Sequence, residues 1–300
     1  MIVVDKPADW TSHDAVLHLR KILRIKKIGH TGTLDPLATG VLLITIGQAT
    51  RLFPYLSRMD KTYIGEIRFG QATETYDSQG KPIGPECRNF PKEKELREAV
   101  ESFEGEITQL PPPFSAKKID GQPAFKLARQ GLSPNLSPVR VHIYRFLILD
   151  YSPPCLKFLV ECSSGTYIRT LAHDLGQKLG CGAHLSQLRR VAVGKYTEEE
   201  AFPLDQIKEL AGKKDFSKFI IPMEYLLPDY PSIWLDQIGS KAFLHGARIG
   251  LDKVARASIT GARSSSESVY RIFSEEGKFL GLAIFDRKEQ FFQPKVVFKP

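Results

Sequence analysis

The sequence has little of what builds disulfide frameworks, metal centres or membrane spans. Its 300 residues include only four cysteines, none of which belongs to a C-x-x-C pair, and no histidine cluster accompanies them at the spacing of a zinc site. No apolar run approaches the roughly 18 residues that a membrane helix needs. The first residues, 1–6, become charged too early for a signal peptide. We therefore expect reduced cysteines used as apolar filler, no bound metal, and a cytoplasmic protein that does not associate with membranes.

Acidic residues are fewer than basic residues. The 42 lysines and arginines outnumber the 34 aspartates and glutamates, which gives a formal net charge of +8. A basic protein suits a polyanionic partner, because each phosphate that it neutralises releases condensed counterions. Charge alone does not separate nucleic-acid binding from other roles. The chain is also longer than one compact core usually holds, so two folding units are expected.

Helical and strand patterns alternate along most of the chain. Caps and apolar spacing predict three helices, over residues 11–23, 91–103 and 168–180. Period-two or continuous apolar runs predict strands at residues 41–46, 62–69, 139–149 and 155–162. From about residue 232 the pattern changes to short apolar runs separated by turns. We therefore predict an α+β protein with one domain over residues 1–230 and a small β-rich domain over residues 231–300.

Residues 105–138 break this regularity. Pro111-Pro112-Pro113 and further glycines and prolines interrupt the segment, and only one short helix, at 123–130, is predicted within it. A loop this long in a compact domain is uncommon unless it is functional or disordered. Basic residues favour a mobile basic arm over a polyanion, with a disordered surface loop as the alternative; they are Lys117, Lys118, Lys126, Arg129 and Arg140.

One glycine-rich loop carries the strongest chemical signal. Residues 29–40 read GHTGTLDPLATG, a backbone path that permits close approach by another molecule. The Gly-Lys-Ser/Thr ending of a phosphate-binding P-loop is missing. Asp35 precedes Pro36, which favours an extended backbone at the aspartate. Taken alone, however, Asp-Pro is more often the start of a helix, with the aspartate as its cap.

The complete string resembles the TruB family of tRNA pseudouridine synthases. The match continues in the family's order through KTY at residues 61–63, GQATETYD at 70–77, PPPFSAKK at 111–118, GTYIRT at 165–170 and LRR at 188–190. It covers essentially the entire chain, and the C-terminal module resembles a PUA domain. Glu74 stands where the family often has aspartate, which keeps the charge. A dozen-residue string followed by further blocks in order makes the resemblance highly specific.

The resemblance implies a fold, a reaction and a partner. The fold would be that of pseudouridine synthases, a mixed and largely antiparallel central sheet flanked by helices and loops, followed by a PUA-like RNA-binding domain. The reaction would convert uridine 55 in the TΨC loop of tRNA to pseudouridine by base flipping, cleavage of the N-glycosidic bond and reattachment through C5. It imports no group and changes no redox state, so no cofactor is expected. The expected partner is tRNA without a guide RNA, and the protein is expected to be a monomer.

Cleavage of a glycosidic bond explains why a carboxylate is needed. Positive charge develops at C1′ of the ribose, and an anionic oxygen can stabilise or trap it, as in retaining glycosidases. The resemblance gives this role to Asp35. Three routes stay open at the level of sequence: attack on C1′, addition to C6 of the base, or removal of the C2′ proton.

Further pocket residues also follow from the resemblance. Removing a base from its stack costs free energy that aromatic and apolar surface can offset. Tyr63 resembles the tyrosine that packs on the target base, and we assign it to the catalytic group. Tyr167 and Leu188 resemble other walls of the pocket. His30 resembles the histidine that takes the vacated place in the RNA stack.

Two charged residues could have either a role in the site or a purely structural role. Arg169 is the family-matched guanidinium that would keep Asp35 ionised in a dry pocket, yet it could be a surface arginine at the start of a helix. Asp77 either joins this polar network or contacts the base, or it simply begins the turn that continues through residues 78–80.

Two other functions share parts of this pattern. A guide-RNA-dependent pseudouridine synthase has the same aspartate loop and PUA module, but the long arm and the absence of lysine-rich tails favour a stand-alone enzyme. A non-catalytic RNA-binding or tRNA-folding protein could retain the scaffold. The intact set of Asp35, Tyr63 and Arg169 favours catalysis.

Overall fold

The computed structural model describes residues 1–115, 117–119, 121–132, 134–258 and 269–299. In this part of the chain the α-helices are α1 (Ser12–Leu23), α2 (Phe53–Leu56), α3 (Glu93–Glu101), α4 (Ala124–Arg129), α5 (Ile168–Lys178), α6 (Leu204–Gly212) and α7 (Gln237–Leu244). Short 3-10 helices cover Gly47–Leu52, Glu198–Glu200, Phe216–Lys218, Met223–Tyr225 and Leu251–Lys253. None of the described helices is long and apolar enough to cross a membrane.

The strands up to residue 203 are β1 (Ile2–Lys6), β2 (Ile28–His30), β3 (Thr39–Ile46), β4 (Lys61–Phe69), β5 (Ala72–Thr73), β6 (Pro82–Ile83), β7 (Gly105–Gln109), β8 (Lys118–Ile119), β9 (Gln122–Pro123), β10 (Val139–Ser152), β11 (Cys155–Cys162), β12 (Ala183–Val193), β13 (Tyr196–Thr197) and β14 (Phe202–Pro203). The remaining described strands are β15 (Ser232–Leu235), β16 (Ile249–Gly250), β17 (Val254–Ser258), β18 (Val269–Ser274), β19 (Phe279–Asp286) and β20 (Phe291–Val297).

A mixed, largely antiparallel sheet forms the centre of the first 203 residues. Its strand order is β14-β1-β3-β12-β4-β11-β10-β7, with β13 added to β12 and β2 added to β3. The β1–β14 and β3–β12 pairs are parallel, and the other pairs are antiparallel. The predicted α+β architecture is therefore confirmed.

Strand β3 shows why its sequence is a continuous apolar run. Leu42 and Ile44 point into the main hydrophobic cluster, which also contains α1 and α5 residues. Val41 and Leu43 point to the opposite face, into a second cluster. Both faces are covered over residues 41–44, so none of these positions is left for a polar residue at the surface.

A second sheet follows from residue 232, in the order β16-β20-β19-β18-β15-β17. It has its own apolar cluster around α7, which includes Phe243 and Leu235. Phe273, Phe279 and Leu282 of this sheet also pack into the cluster behind β3. The two sheets therefore share buried apolar surface, which fixes the small sheet against the large one. Residues 259–268 and 300, part of the predicted second domain, lie outside the described residues.

The structure changes two predicted boundaries. Helix α3 begins at Glu93 and not at Pro91, because the Lys92 backbone N–H donates to the Glu95 carboxylate at 3.0 Å and so caps the helix later. Gly105–Gln109 is not part of an arm but the edge strand β7, paired with β10. The glycines and prolines that suggested an arm begin only after this strand. The side chains of Lys118 and Arg129, predicted to belong to the arm, lie outside what the structure describes.

Candidate active site

The glycine-rich loop joins β2 to β3 and is tied to the start of α1. The Leu34 N–H donates to the Ser12 hydroxyl at 2.8 Å, and that hydroxyl donates back to the Leu34 carbonyl at 3.1 Å. Asp35 opens a tight turn that the Ala38 N–H closes by donating to the Asp35 carbonyl at 3.0 Å. No helix follows Pro36, so the alternative in which Asp35 caps a helix is wrong.

Gly40 is where the loop enters the sheet beside β12. Its backbone has a φ of +96°, and a Cβ built there would lie 2.3 Å from the Arg190 carbonyl oxygen. Gly40 pairs with Arg190 in the parallel β3–β12 ladder. Only glycine combines this backbone conformation with such a close approach, so the residue fixes the path by which the Asp35 loop enters the sheet.

Arg169, on the first turn of α5, binds the Asp35 carboxylate through two parallel hydrogen bonds. Its Nε donates to Oδ2 at 2.8 Å and its Nη2 to Oδ1 at 2.9 Å. The arginine side chain is 6% exposed and that of Asp35 is 34% exposed. A bidentate pair of this kind fixes the orientation of the carboxylate as well as its charge. The alternative of a surface arginine is therefore wrong.

Two further hydrogen bonds join Arg169 to neighbouring backbone carbonyls. Nη1 donates to the Thr75 carbonyl at 3.0 Å, and Nη2 donates to the Phe114 carbonyl at 3.1 Å. These bonds bring together α5, the turn after β5 and the chain just before β8. A guanidinium held by four hydrogen bonds to three residues has little freedom to leave Asp35.

Asp77 satisfies both sequence interpretations. Its Oδ1 accepts hydrogen bonds from the Gln79 N–H at 3.1 Å and the Thr75 hydroxyl at 2.6 Å, as a turn-forming aspartate does. Its Oδ2 lies 3.6 Å from Nη1 of Arg169, and its side chain is 6% exposed. The two aspartates therefore share one buried guanidinium.

A cavity of about 430 Å³ opens beside Asp35. Five of the predicted site residues line it: Asp35, Tyr63, Tyr167, Arg169 and Leu188. Burial raises the pKa of Tyr63, so its hydroxyl stays protonated around neutral pH. The mixture of an anion, a fixed cation, aromatic rings and an aliphatic wall suits a ligand that has both a flat apolar surface and polar groups.

His30 and Asp77 lie on a neighbouring cavity of about 390 Å³, which Asp35 and Arg169 also line. His30 is partly buried, and burial lowers the pKa of its imidazole. Its Nδ1 has no hydrogen-bond partner among the described residues. The structure thus divides the predicted set between two cavities that meet at the Asp35–Arg169 pair.

Two basic residues of the site were not singled out from the sequence. Lys61 and Arg190 both line the first cavity and are 7% and 2% exposed. Arg190 donates to the Val41 carbonyl at 2.7 Å and to the Gly32 carbonyl at 3.1 Å. It therefore joins the Asp35 loop to strand β3. Burial lowers the pKa of Lys61 to about 8. The period-two pattern of β4 places Lys61 on the face of Tyr63, a signal that could have found it.

The edge strand β7 also has a role at the site. The Gln109 side chain, 1% exposed, accepts a hydrogen bond from the Tyr167 N–H at 2.9 Å and donates to the Tyr167 carbonyl at 3.2 Å. This clamp fixes the backbone immediately before α5. Among the described residues, no three histidine, cysteine, aspartate or glutamate side chains are grouped as a metal site.

Comparison with protein families agrees with this geometry. Residues 20–168 match the model of the TruB family pseudouridylate synthase N-terminal domain, and residues 169–228 match that of the tRNA pseudouridylate synthase B C-terminal domain. The tRNA pseudouridine synthase B of Solibacter usitatus is 44% identical over 82% of this chain and 84% of its own length. The chain belongs to the TruB family of pseudouridylate synthases. It is therefore an enzyme that isomerises uridine in RNA.

Other members of the TruB family match over nearly the full length. The tRNA pseudouridine synthase B of Thermotoga maritima is 40% identical over 98% of this chain and 92% of its own. Among solved structures, a chain of a Cbf5–Nop10–Gar1 complex aligns with a TM-score of 0.78 at 28% identity. A chain of an H/ACA RNP bound to a substrate RNA containing 2′-deoxyuridine gives 0.76 at 26%. Both alignments cover 100% of this chain and 84% of the other.

Proposed function

We propose that this protein converts uridine 55 in the TΨC loop of tRNA to pseudouridine, with Asp35 as the carboxylate that acts at the ribose. The observation that carries the proposal is the bidentate Arg169–Asp35 pair at the wall of a cavity of about 430 Å³. The curated relatives that match over most of the chain are named tRNA pseudouridine synthase B, which supports tRNA as the substrate.

The carboxylate supplies the negative charge that the reaction needs. When the bond between N1 and C1′ breaks, positive charge builds on the sugar, and a fixed anion beside it lowers the barrier. Arg169 holds Asp35 in one orientation before the substrate arrives, so little reorganisation is needed in the transition state. The three routes through C1′, C6 and the C2′ proton all require this oxygen close to the nucleoside.

The other walls of the cavity would receive the flipped uracil. Tyr63 and Tyr167 offer aromatic surface, and Leu188 offers an aliphatic contact, so part of the unstacking cost is recovered on binding. His30 lines the neighbouring cavity and would fill the position that the uracil leaves in the RNA. Asp77 supplies the second carboxylate that faces the Arg169 guanidinium.

We also propose that residues 231–300 form a PUA-like RNA-binding domain, separate from the catalytic domain over residues 1–230. A cavity of about 490 Å³ at the edge of the second sheet is lined by Arg248, Arg287, Lys288, Lys295 and Phe291, together with other residues. The Arg248 guanidinium lies 4.4 Å from the centre of the Phe291 ring. Cations beside an aromatic ring suit RNA phosphates and bases.

The experiment that tests this function uses purified protein and an unmodified tRNA transcript, with no other macromolecule. Pseudouridine is mapped at base resolution after incubation with the wild type, with Asp35→Asn and with Asp150→Asn, an exposed carboxylate control. We expect one modified position, uridine 55, for the wild type and for the control. Asp35→Asn should form less than about 1% of the product, while tRNA binding stays within a few-fold because phosphate contacts dominate affinity.

Each alternative has its own outcome in this experiment. Product that appears only when a guide RNA is added would identify a guide-dependent enzyme. tRNA binding without any product from the wild type would identify a non-catalytic RNA-binding protein. Modification at another uridine would overturn the assignment of position 55 and leave the chemistry intact.

A further inference from the structure

Tyr76 and His173 stack face to face one helical turn from Arg169. Their ring centres are 3.8 Å apart and their planes differ by 11°. His173 follows Arg169 by four residues on α5, so the two side chains emerge from the same face of the helix. Tyr76 is the middle residue of the segment 75–77, whose two outer residues both contact the Arg169 guanidinium.

The backbone at Tyr76 is held in an unusual conformation. Its φ is +64°, in the left-handed region that glycine adopts most easily. The Tyr76 N–H donates to the Thr73 carbonyl at 3.2 Å, and its carbonyl accepts from the Leu185 N–H at 3.0 Å. A tyrosine in a conformation that favours glycine indicates that the ring itself contributes something that glycine would not.

The imidazole of His173 has no other described interaction of comparable specificity. It is partly buried, and its Nδ1 lacks a hydrogen-bond partner among the described residues. Burial lowers the pKa of His173, so the ring is neutral when it stacks at neutral pH. Its packing against Tyr76 is therefore the contact through which it can act on the site.

We propose that the Tyr76–His173 stack is a positioning element: it holds the segment 75–77 against α5 and thereby aligns the Arg169 guanidinium on Asp35. Without the stack, this strained segment would lose its ring contact with α5, and a shift of the Thr75 carbonyl and Asp77 carboxylate would draw Arg169 with it. This inference rests on the proposed function, because it assumes that the Asp35–Arg169 geometry sets the rate of the chemical step.

Two substitutions at His173 distinguish the effect of the aromatic ring on the rate from the effect of a polar group. His173→Phe keeps an aromatic ring, slightly larger and without nitrogen atoms, whereas His173→Asn keeps a polar group and loses the ring. At the partner position, Tyr76→Gly removes the ring. Because glycine adopts a positive φ without steric cost, the variant also removes the backbone strain, so a lower rate cannot be caused by strain. Tyr151→Ala removes a partly buried ring that packs on Phe69 outside both site cavities, and serves as the control for stability.

The measurement is the single-turnover rate with saturating enzyme, together with the Kd for tRNA and the urea midpoint of each variant. We expect His173→Asn and Tyr76→Gly to slow the bound-state rate by about 10- to 100-fold with Kd changed less than threefold, because misplacement of a catalytic group acts on the chemical step. His173→Phe should keep at least a third of the wild-type rate. The double variant His173→Asn, Tyr76→Gly should be no slower than either single variant, since both remove the same contact.

The proposal is overturned if His173→Asn keeps the wild-type saturated rate and loses only stability, as expected for Tyr151→Ala. It is also overturned if His173→Phe is as slow as His173→Asn, because polarity and not stacking would then matter. Failure of the proposed function has a different signature, namely an active Asp35→Asn variant or a wild type that forms no pseudouridine.

Discussion

The guanidinium of Arg169 binds the carboxylate of Asp35 through two parallel hydrogen bonds of 2.8 and 2.9 Å, although 134 residues separate them in the chain. The pair joins the loop between β2 and β3 to the first turn of α5. Both residues line two neighbouring cavities, so a ligand in either cavity would lie beside the pair.

Arg169 is expected to be needed for both stability and rate. Arg169→Lys keeps the charge but cannot present two parallel donors, so the saturated rate should fall by about 100-fold with a small change in stability. Arg169→Met leaves the buried Asp77 without its cation, and the free energy of unfolding should fall by about 3 kcal/mol. Urea denaturation measures this loss.

A matched comparison tests whether the unpaired charge of Asp77 causes the loss of stability in Arg169→Met. Arg145→Met breaks a pair with Glu161 in which the two side chains are 56% and 37% exposed, and should cost about 1 kcal/mol or less. Adding Asp77→Asn to Arg169→Met should recover part of the stability. If it recovers none, an unpaired buried charge is not the reason for the loss.

Gly40 and Gly29 make a matched pair in the two strands that flank the Asp35 loop. A methyl group at Gly40 would meet the Arg190 carbonyl at 2.3 Å and would sit on a backbone with φ of +96°, whereas nothing lies within 4 Å of a Cβ at Gly29. We expect Gly40→Ala to lower the free energy of unfolding by roughly 3 kcal/mol and Gly29→Ala to change it by less than about 0.5 kcal/mol. Equal urea midpoints for the two variants would contradict the close β3–β12 approach.

Lys61 should contribute a rise in stability as the pH increases from about 8 to 10. Burial lowers the pKa of Lys61 from 10.5 to about 8, so in this window the unfolded chain binds a proton that the folded chain has released. Stability increases with pH wherever the unfolded state binds more protons. Below about pH 8 both states are protonated and the full penalty for the buried charge is present.

The test compares the wild type with Lys61→Met by urea denaturation at pH 7.5 and pH 10. The wild type should gain about 2 kcal/mol relative to the variant over this range. Lys94→Met, at a lysine whose side chain is 88% exposed, is the control for loss of a surface lysine. Parallel pH curves for the wild type and Lys61→Met would show that the lysine is not buried as described.

The basic edge of the second sheet should contribute to tRNA affinity and not to the chemical step. Arg287→Gln combined with Lys288→Gln should weaken tRNA binding and reduce the slope of log Kd against log salt by about 2, with the saturated single-turnover rate unchanged. Arg88→Gln combined with Lys94→Gln removes the same charge elsewhere on the surface. An equal effect of both double variants would argue for general charge and against a local RNA site.

Local patterns were enough to predict many elements. Thr11 caps α1 with the reciprocal Asp14 bond of a capping box, and the apolar run at residues 41–46 is a strand buried on both faces. Both features depend on neighbouring residues or on period, which a sequence displays directly. β7 was missed because its five residues adjoin a proline-rich loop, and their identity as a strand depends on pairing with β10, 30 to 38 residues later.

The sequence by itself determined which residues carry charge and aromatic surface, and the order of its motifs sufficed to predict the family. It could not determine that Asp35 and Arg169 meet, that Asp77 shares the same guanidinium, or that Tyr76 stacks on His173. Those contacts join segments far apart in the chain, and only the packing of α5 against the sheet brings them within hydrogen-bonding or van der Waals distance. Hydrogen bonds and ring contacts act over a few ångströms in space, whereas a pattern along the chain records only the distance between residues in sequence.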